Sequence, residues 1–187
     1  ENRPEWGITY FGILKAGGVA VPVDREASLE EITNIARSAG LQVVVCSDKV
    51  QSRIDVRGAL AAILPDVKVL SLSELIAGPA GLSTEPLKPL VLTGRAEEMA
   101  SLIFTSGTTG RPKGVMLSHR NFTSLLAKMG AVFDVDKYDG LMSVLPLHHT
   151  FEFSAGLLMP LMRGAQITYM PEVNADALSD IPKGIVA

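Results

Sequence analysis

The sequence predicts an α/β fold of mainly parallel sheets with helices on both faces. Helical and strand patterns alternate over residues 1–77 and again over residues 99–187. The candidate strands are continuous Val-, Ile- and Leu-rich runs, which are typical of strands buried on both faces of a parallel sheet. Of the 187 residues, 47% are hydrophobic and 20% are charged, a balance that favours a globular chain with a sizeable core.

The first elements are predicted from the signals at their ends. Residues 6–15 have a helical pattern that ends before Gly17, a residue suited to the left-handed conformation that closes many helices. Residues 19–23 follow as a short apolar strand, in which Pro22 indicates a sheet edge or a strand end.

A second helix is predicted to begin after Ser28. Ser28 and Glu31 have the spacing of a capping box, in which each side chain accepts a hydrogen bond from the backbone of the other. One face of this helix carries Leu29, Ile32, Ile35 and Ala36. The first segment then continues with a buried strand at 42–46, a helix at 58–64 and a strand at 68–72.

Residues 78–98 interrupt the alternation with prolines and glycines, and we expect a surface connection between two α/β segments, 1–77 and 99–187. In the second segment, Ser118 or Asn121 is suited to cap a helix that follows residue 118. The other predicted elements are strands at 100–104, 114–118, 141–145 and 166–170 and an apolar helix at 154–162.

The connection between the strands at 100–104 and 114–118 carries the most chemistry. It reads Thr-Ser-Gly-Thr-Thr-Gly-Arg-Pro-Lys-Gly over residues 105–114. Glycines let the backbone approach a ligand and converge its N–H groups on an anion, while the hydroxyls and the lysine add donors and positive charge. The predicted phosphate-binding residues are Thr105, Ser106, Gly107, Thr108, Thr109, Gly110 and Lys113.

Two other interpretations of this loop are less satisfactory. A Walker P-loop requires glycine where Pro112 stands, a hydroxyl where Gly114 stands, and a helix rather than a strand-like run after the loop. A solvent-exposed linker would not be expected between two apolar strands. The pattern therefore favours a phosphate-binding loop of another kind.

Residues 102–115 resemble the signature loop of the adenylate-forming superfamily, which comprises acyl-CoA synthetases, luciferases and the adenylation domains of peptide synthetases. The wording Thr-Ser-Gly-Thr-Thr-Gly is closer to that of acyl- and aryl-CoA synthetases. Residues 12–24 are similar to the early helix–strand segment of the same family. The resemblance implies that the chain is part of the large N-terminal domain of such an enzyme.

Residues 145–152, Leu-Pro-Leu-His-His-Thr-Phe-Glu, match a second segment of the family. The resemblance implies that His149 lies beside the acyl group and the adenylate phosphate, and that Phe151 lines the substrate pocket. An imidazole can donate to an oxyanion, and a ring can form the wall of an apolar pocket. In a strand His148 and His149 would point to opposite faces, so at most one of them is expected at the site. Glu152 stands at a position where glycine is common in the adenylate-forming family. A similar glutamate occurs in some long-chain acyl-CoA synthetases, so the resemblance points to a fatty acid as the substrate.

The resemblance implies an acid–thiol ligase that works in two half-reactions. A carboxylate attacks the α-phosphate of Mg-ATP to give an acyl-adenylate and pyrophosphate, and a thiol, most often that of CoA, then displaces AMP. Lys113 and His149 are the predicted catalytic residues. The alternatives are an adenylation domain that loads an acyl or amino acid onto a carrier protein, and a non-catalytic nucleotide-binding remnant.

Several parts of the family pattern are absent from this sequence. They are the aromatic-Gly-x-Thr-Glu segment that contributes the Mg²⁺ ligand, the Thr-Gly-Asp segment for the ribose, and the C-terminal lid domain with its catalytic lysine. We therefore expect the Mg²⁺ ligand and the lid domain outside this chain, and we expect the chain alone to be incomplete and inactive. The sequence leaves open which carboxylic acid is used.

Bulk properties exclude some partners. The net charge of −3 gives no reason to expect nucleic acid, and no apolar run reaches the ~18 residues of a membrane span. Cys46 is the single cysteine, which suggests a reducing compartment, and its apolar surroundings predict a packing role rather than a nucleophile. We predict a cytoplasmic location, with peripheral membrane association and homo-oligomers both left open.

Overall fold

Helices alternate with short two-stranded sheets in the computed structural model, which describes residues 1–78, 96–105 and 113–170. The described helices are α1 Pro4–Lys15, α2 Leu29–Ala39, α3 Asp48–Arg53, α4 Val56–Ile63, α5 Leu72–Ala77, α6 His119–Val132, α7 Thr150–Glu152 and α8 Met159–Arg163, with a π-helical segment Phe153–Leu158 between the last two. The described strands are β1 Val43–Cys46, β2 Lys68–Ser71, β3 Met99–Thr105, β4 Lys113–Ser118, β5 Gly140–Ser143 and β6 Gln166–Tyr169. This arrangement confirms the predicted α/β class.

The described residues form two compact units. Unit 1 contains residues 1–12, 96–98 and 117–170, and unit 2 contains residues 13–78, 99–105 and 113–116. The predicted connection at 78–98 lies largely outside the described residues, and the division of the chain into 1–77 and 99–187 stays a prediction. No helix in the described ranges is long and apolar enough to cross a membrane.

The end signals read from the sequence are confirmed in unit 2. Ser28 caps α2, and both hydrogen bonds of its capping box with Glu31 are present. Gly17, two residues after the end of α1, has a φ of +78°, a left-handed conformation that favours glycine. The pattern missed α3 and α5, which begin after the capping residues Ser47 and Ser71. Each has six residues, too few to show a helical period.

The core of unit 2 lies between α2 and α4. Val56 and Leu60 of α4 are 1% and 0% exposed and pack with Ala27, Ile32 and Ala36. Burial of these apolar side chains stabilises the unit by roughly 1.5–3 kcal/mol for each large residue.

The strands β1 and β2 form a parallel pair, in register from Val43 with Lys68 to Cys46 with Ser71. The expectation of a fully buried strand at 42–46 is wrong, since Val43 is 47% exposed and the rest of β1 is half-buried. Among the described residues this sheet has two strands. Burial raises the pKa of the Cys46 thiol, which agrees with a packing role.

The strand predicted at 19–23 is reduced to one parallel bridge between Ala20 and Ser101. The Ala20 N–H donates to the carbonyl of Ala100 at 3.0 Å, and the Ala20 carbonyl accepts from the Leu102 N–H at 2.9 Å. Pro22 has no N–H, so the ladder does not continue through it. The proline signal was therefore correct, whereas the strand length was wrong.

Unit 1 has an aromatic core built around Phe153. Its ring centroid lies 4.4 Å from that of Tyr10, 5.7 Å from that of Trp6 and 5.3 Å from that of Phe122. These contacts join α1, α6 and the π-helical segment, and such ring pairs contribute about 0.5–1.5 kcal/mol each beyond area burial. The apolar helix predicted at 154–162 is confirmed as a helix, although its first part has π rather than α hydrogen bonding.

The strands β5 and β6 pair in parallel beside this core, in register from Gly140 with Gln166 to Ser143 with Tyr169. The strand predicted at 141–145 ends earlier than expected, at Ser143. The chain that follows it leads to the histidine pair.

Candidate functional site

The phosphate-binding loop predicted in unit 2 is framed by two strands. Thr105 is the last residue of β3 and Lys113 is the first residue of β4, and these strands pair in one sheet. The predicted loop residues Ser106, Gly107, Thr108, Thr109 and Gly110 lie outside the described residues. The strand predicted after the loop is confirmed, and it differs from the helix that follows a Walker P-loop.

The two ends of the loop are exposed and joined to each other. The Thr105 Oγ1 hydroxyl donates a long hydrogen bond of 3.5 Å to the backbone carbonyl of Lys113. Both residues are solvent-exposed. A hydroxyl and an ammonium group are therefore presented at the two strand ends that enclose residues 106–112.

Gly114 permits a close approach directly after Lys113. A Cβ atom at Gly114 would lie 2.9 Å from Leu102 Cδ1 and 3.5 Å from Phe104 Cε1. The sequence interpretation gave this glycine a role in approaching a ligand. The described contacts give it a packing role between β4 and the side chains of β3.

The predicted site residue His149 lies in unit 1, in the turn that follows β5. It occupies the N-cap position of α7 with φ −78° and ψ 132°, and its side chain makes no capping hydrogen bond. The imidazole is exposed. The imidazole therefore does not cap the N-terminus of α7.

His148 and His149 do not point to opposite faces. Their ring centroids are 4.3 Å apart with an interplanar angle of 35°, so both rings lie on one side of the turn. The prediction of opposite faces is wrong because β5 ends at Ser143, and side-chain alternation holds only within a strand.

Phe151 and Glu152 are adjacent in α7 and have opposite environments. Phe151 is 70% exposed, whereas Glu152 is 4% exposed. Among the described residues Glu152 Oε1 has no hydrogen-bond partner. A Cβ at Gly156 would lie 2.3 Å from that oxygen, so the carboxylate rests against the bare backbone of this glycine. Phe151 is thus the side chain of this pair that is available to a ligand.

Sequence reasoning missed Asn2, which holds the chain that leads to His149. The Asn2 side chain is buried and hydrogen-bonds to Ser143, Leu145 and Leu147. An asparagine two residues before a helix has the pattern of an ordinary capping residue. Its partners lie more than 140 positions away, so no local pattern reveals them.

The described residues offer no metal site. Within the ranges 1–78, 96–105 and 113–170, no group of three or more His, Cys, Asp or Glu side chains is arranged to hold a metal ion.

A family model described as "AMP-binding enzyme" matches residues 1–185. The human mitochondrial malonate–CoA ligase ACSF3 is 33% identical over 187 residues, covering 92% of this chain and 29% of that protein. Human long-chain-fatty-acid–CoA ligase 1 is 31% identical over 190 residues, covering 90% of this chain and 27% of that protein. The crystal structure of ATP-bound MatB from Rhodopseudomonas palustris has a TM-score of 0.80 at 27% identity, covering 96% of this chain and 35% of that chain. The chain thus spans roughly a third of the length of these three proteins.

Proposed function

We infer the function from the premise that the chain belongs to the AMP-binding enzyme family, and propose that it is part of an ATP-dependent carboxylic acid–CoA ligase. The proposed reaction forms an acyl-adenylate and then a thioester. The observation that carries this proposal is the strand–loop–strand arrangement at 105–113, in which a Gly-, Ser- and Thr-rich loop begins at Thr105 and ends at Lys113.

In the first half-reaction the loop is proposed to hold the β- and γ-phosphates of ATP. A carboxylate oxygen of the acid attacks the α-phosphorus, a P–O bond to the acid forms, and the P–O bond to pyrophosphate breaks. Negative charge then grows on the pyrophosphate. The Lys113 ammonium group, the Thr105 hydroxyl and the loop N–H groups would stabilise that charge, because fixed donors aimed at developing charge lower the barrier.

Mg²⁺, when bound, would supply further charge neutralisation at the phosphates. Its ligands are proposed to lie outside this chain, because the aromatic-Gly-x-Thr-Glu segment that contributes the Mg²⁺ ligand in the family is absent from the sequence. The lid domain with its catalytic lysine, which the resemblance implies, is likewise proposed to complete the enzyme from outside this chain.

His149 and Phe151 are proposed to contact the acid. The exposed His149 imidazole is free to donate a hydrogen bond to an oxygen of the acyl-adenylate, because its helix does not use it as a cap. In the second half-reaction the CoA thiolate attacks the acyl carbon, a C–S bond forms, and the C–O bond to AMP breaks. Phe151 offers an exposed ring on which an apolar acyl chain could pack.

We propose a fatty acid rather than a dicarboxylate as the substrate. The support is the exposed Phe151 ring and the resemblance of the Phe151-Glu152 pair to long-chain enzymes. Glu152 itself is buried, so its part in this choice would be indirect. The cytoplasmic location and the use of CoA rather than a carrier protein stay predictions.

The test uses the full-length protein in ATP–pyrophosphate exchange with a panel of acids. We expect exchange to depend on a medium- or long-chain fatty acid and to exceed that with malonate. Faster exchange with malonate than with a fatty acid would overturn the fatty-acid proposal. If no acid on the panel supports exchange, the non-catalytic remnant is favoured. A second assay offers CoA or a phosphopantetheinyl carrier protein to the loaded enzyme, and acyl transfer to the carrier alone would favour the adenylation-domain alternative.

A further inference from the structure

The chain between β5 and α7 has few regular backbone partners of its own. Residues 144–149 belong to neither a helix nor a strand. Buried backbone N–H and C=O groups in such a segment need partners from elsewhere, because leaving one unpaired costs about 1–3 kcal/mol. Leu147, which is 2% exposed, shows that part of this segment is buried.

Asn2 pairs with the buried Leu147, with Leu145 and with Ser143 at the end of β5 through a single side chain. Its Nδ2 shares its two hydrogens among three acceptors: the Leu145 carbonyl at 2.6 Å, the Ser143 Oγ at 3.1 Å and the Ser143 carbonyl at 3.3 Å. Its Oδ1 accepts from the Leu147 N–H at 3.2 Å. Asn2 is 8% exposed, so water competes little for these bonds.

The chemistry of the segment specifies an amide at this position. The segment presents carbonyl acceptors on one side and an N–H donor on the other, and an asparagine carries both complements on one planar group. A carboxylate would accept from the Leu147 N–H, but it would place negative charge against the carbonyls of Ser143 and Leu145. A flipped amide would place the Asn2 NH₂ group against the Leu147 N–H and the Asn2 carbonyl oxygen against the carbonyls of Ser143 and Leu145.

The held segment leads directly into the His149 turn. Two residues after Leu147, the His149 N–H donates to the Pro146 carbonyl at 3.0 Å. The His149 carbonyl accepts from the Phe153 N–H at 2.9 Å, which ties the turn to the buried helix. The backbone of His149 is thus hydrogen-bonded on both sides, while its imidazole makes no capping hydrogen bond to α7.

We propose that Asn2 is a positioning residue for His149: its amide fixes the segment from Ser143 to Leu147, and thereby the place at which the imidazole meets the acyl-adenylate. This inference rests on the proposed function. A displacement of about 1 Å in a catalytic group can cost about 10²-fold in rate. We therefore expect Asn2→Asp, which keeps the shape of the side chain, to lower kcat about 10- to 100-fold with a smaller change in the KM for ATP.

The decisive experiment is a double-mutant cycle in the full-length protein with Asn2→Asp and His149→Ala. If Asn2 acts through His149, Asn2→Asp changes kcat little once His149 is alanine, because the two residues act as one unit. Multiplicative losses in the double variant would overturn the proposal. Thr33→Val is the matched control: Thr33 is 6% exposed, its hydroxyl donates to the Leu29 carbonyl at 2.8 Å, and it lies in unit 2. Any loss of kcat caused by Thr33→Val should multiply with the loss caused by His149→Ala.

A second readout does not depend on activity. The imidazole NMR resonances of His149, assigned with His149→Ala, should shift in Asn2→Asp and stay in place in Thr33→Val. Should Asn2→Asp fail to fold, Asn2→Ser, which also removes the amide, is expected to shift the same resonances. Unmoved resonances in either Asn2 variant would overturn the proposal. If the resonances move but no acid supports pyrophosphate exchange, the positioning role is supported and the proposed function is overturned instead.

Discussion

The phosphate-loop frame at Thr105 and Lys113 and the turn that carries His149 are built in different ways. The frame consists of two paired strands whose ends are exposed and joined by one long hydrogen bond. The His149 turn is held by Asn2, whose side chain reaches partners 141–145 positions away in the sequence. Local composition therefore provides the proposed chemistry of the frame, whereas tertiary contacts orient the residues of the turn.

The largest effect is expected at the loop frame, for Lys113→Ala. Loss of the ammonium group should slow pyrophosphate exchange about 10²-fold, because a fixed donor to the developing charge is removed. The free energy of unfolding should change little, since Lys113 is exposed. Exchange kinetics and urea titration measure the two quantities.

Lys68→Ala is the matched control for Lys113→Ala, because Lys68 is also the exposed first residue of a strand in unit 2. It should leave exchange unchanged. Equal losses in the two variants would contradict the special role of Lys113 and remove one side of the comparison.

The next effect is expected at Gly156, where the helix after the His149 turn is tightly packed. Gly156→Ala should lower the free energy of unfolding by about 1–3 kcal/mol, because its Cβ would lie 2.3 Å from Glu152 Oε1. In a Glu152→Ala background most of this loss should disappear. Urea titration of the two single variants and the double variant measures the coupling.

Gly12→Ala serves as the control for this prediction. Gly12 lies in α1, and a Cβ there would meet no atom from outside the local helix backbone within 4 Å, so alanine should stabilise the helix by up to about 1 kcal/mol. A similar gain in the free energy of unfolding for Gly156→Ala would show that the side chains around Glu152 can move aside at little cost. It would weaken the contrast with the exposed loop frame.

A smaller effect tests the local signals of the two units against each other. Ser28→Ala and Ser118→Ala each remove the N-cap of a complete capping box, one in unit 2 and one in unit 1. Each should cost about 1 kcal/mol, because capping involves only neighbouring residues. Urea midpoints that differ widely between the two variants would show that tertiary contacts also control the caps.

The smallest effect concerns the pH dependence of the segment around Asn2. A hydrogen bond from Arg3 lowers the pKa of Glu5 to about 2 from an ordinary value of 4.5, with bonds of 2.8 and 2.9 Å to the carboxylate. A lowered pKa means that the stabilisation is present above pH 4.5 and is lost as the pH falls towards 2.

Glu5→Gln should therefore reduce the free energy of unfolding at pH 6 by about 0.5 kcal/mol, because Arg3 is partly exposed and solvent screens the pair. The difference from the unaltered protein should shrink between pH 4.5 and 2. Arg3→Met should abolish the same pH-dependent difference, and a difference that persists in this variant would assign it to another group.

Much of the fold followed from short-range patterns, and such patterns also predicted the candidate site residues. As the sequence predicted, Ser28 caps a helix, Gly17 closes one, and a strand begins at Lys113 after the loop. Of the two caps that the sequence left open for α6, Ser118 is the one used. Each of these features depends on residues within a few positions of one another, where backbone geometry and hydrogen-bonding groups are decisive. The family assignment rests on the same local motifs, and the match over residues 1–185 confirms it.

The remaining features depend on contacts between distant parts of the chain. The strand predicted at 19–23 became a single bridge at Ala20 because its partner β3 lies about 80 positions away and Pro22 ends the ladder. The common orientation of His148 and His149 followed from the early end of β5.

By itself, therefore, the sequence determined the α/β class, the helix-end signals at Ser28 and Gly17 and the family, and it predicted the phosphate-binding loop. The tertiary structure alone decided that Glu152 is buried, that Phe151 is exposed and that Asn2 holds the His149 turn. The physical reason is that a buried polar side chain pairs with whatever backbone the packed chain brings to it, and no local pattern records which backbone that is.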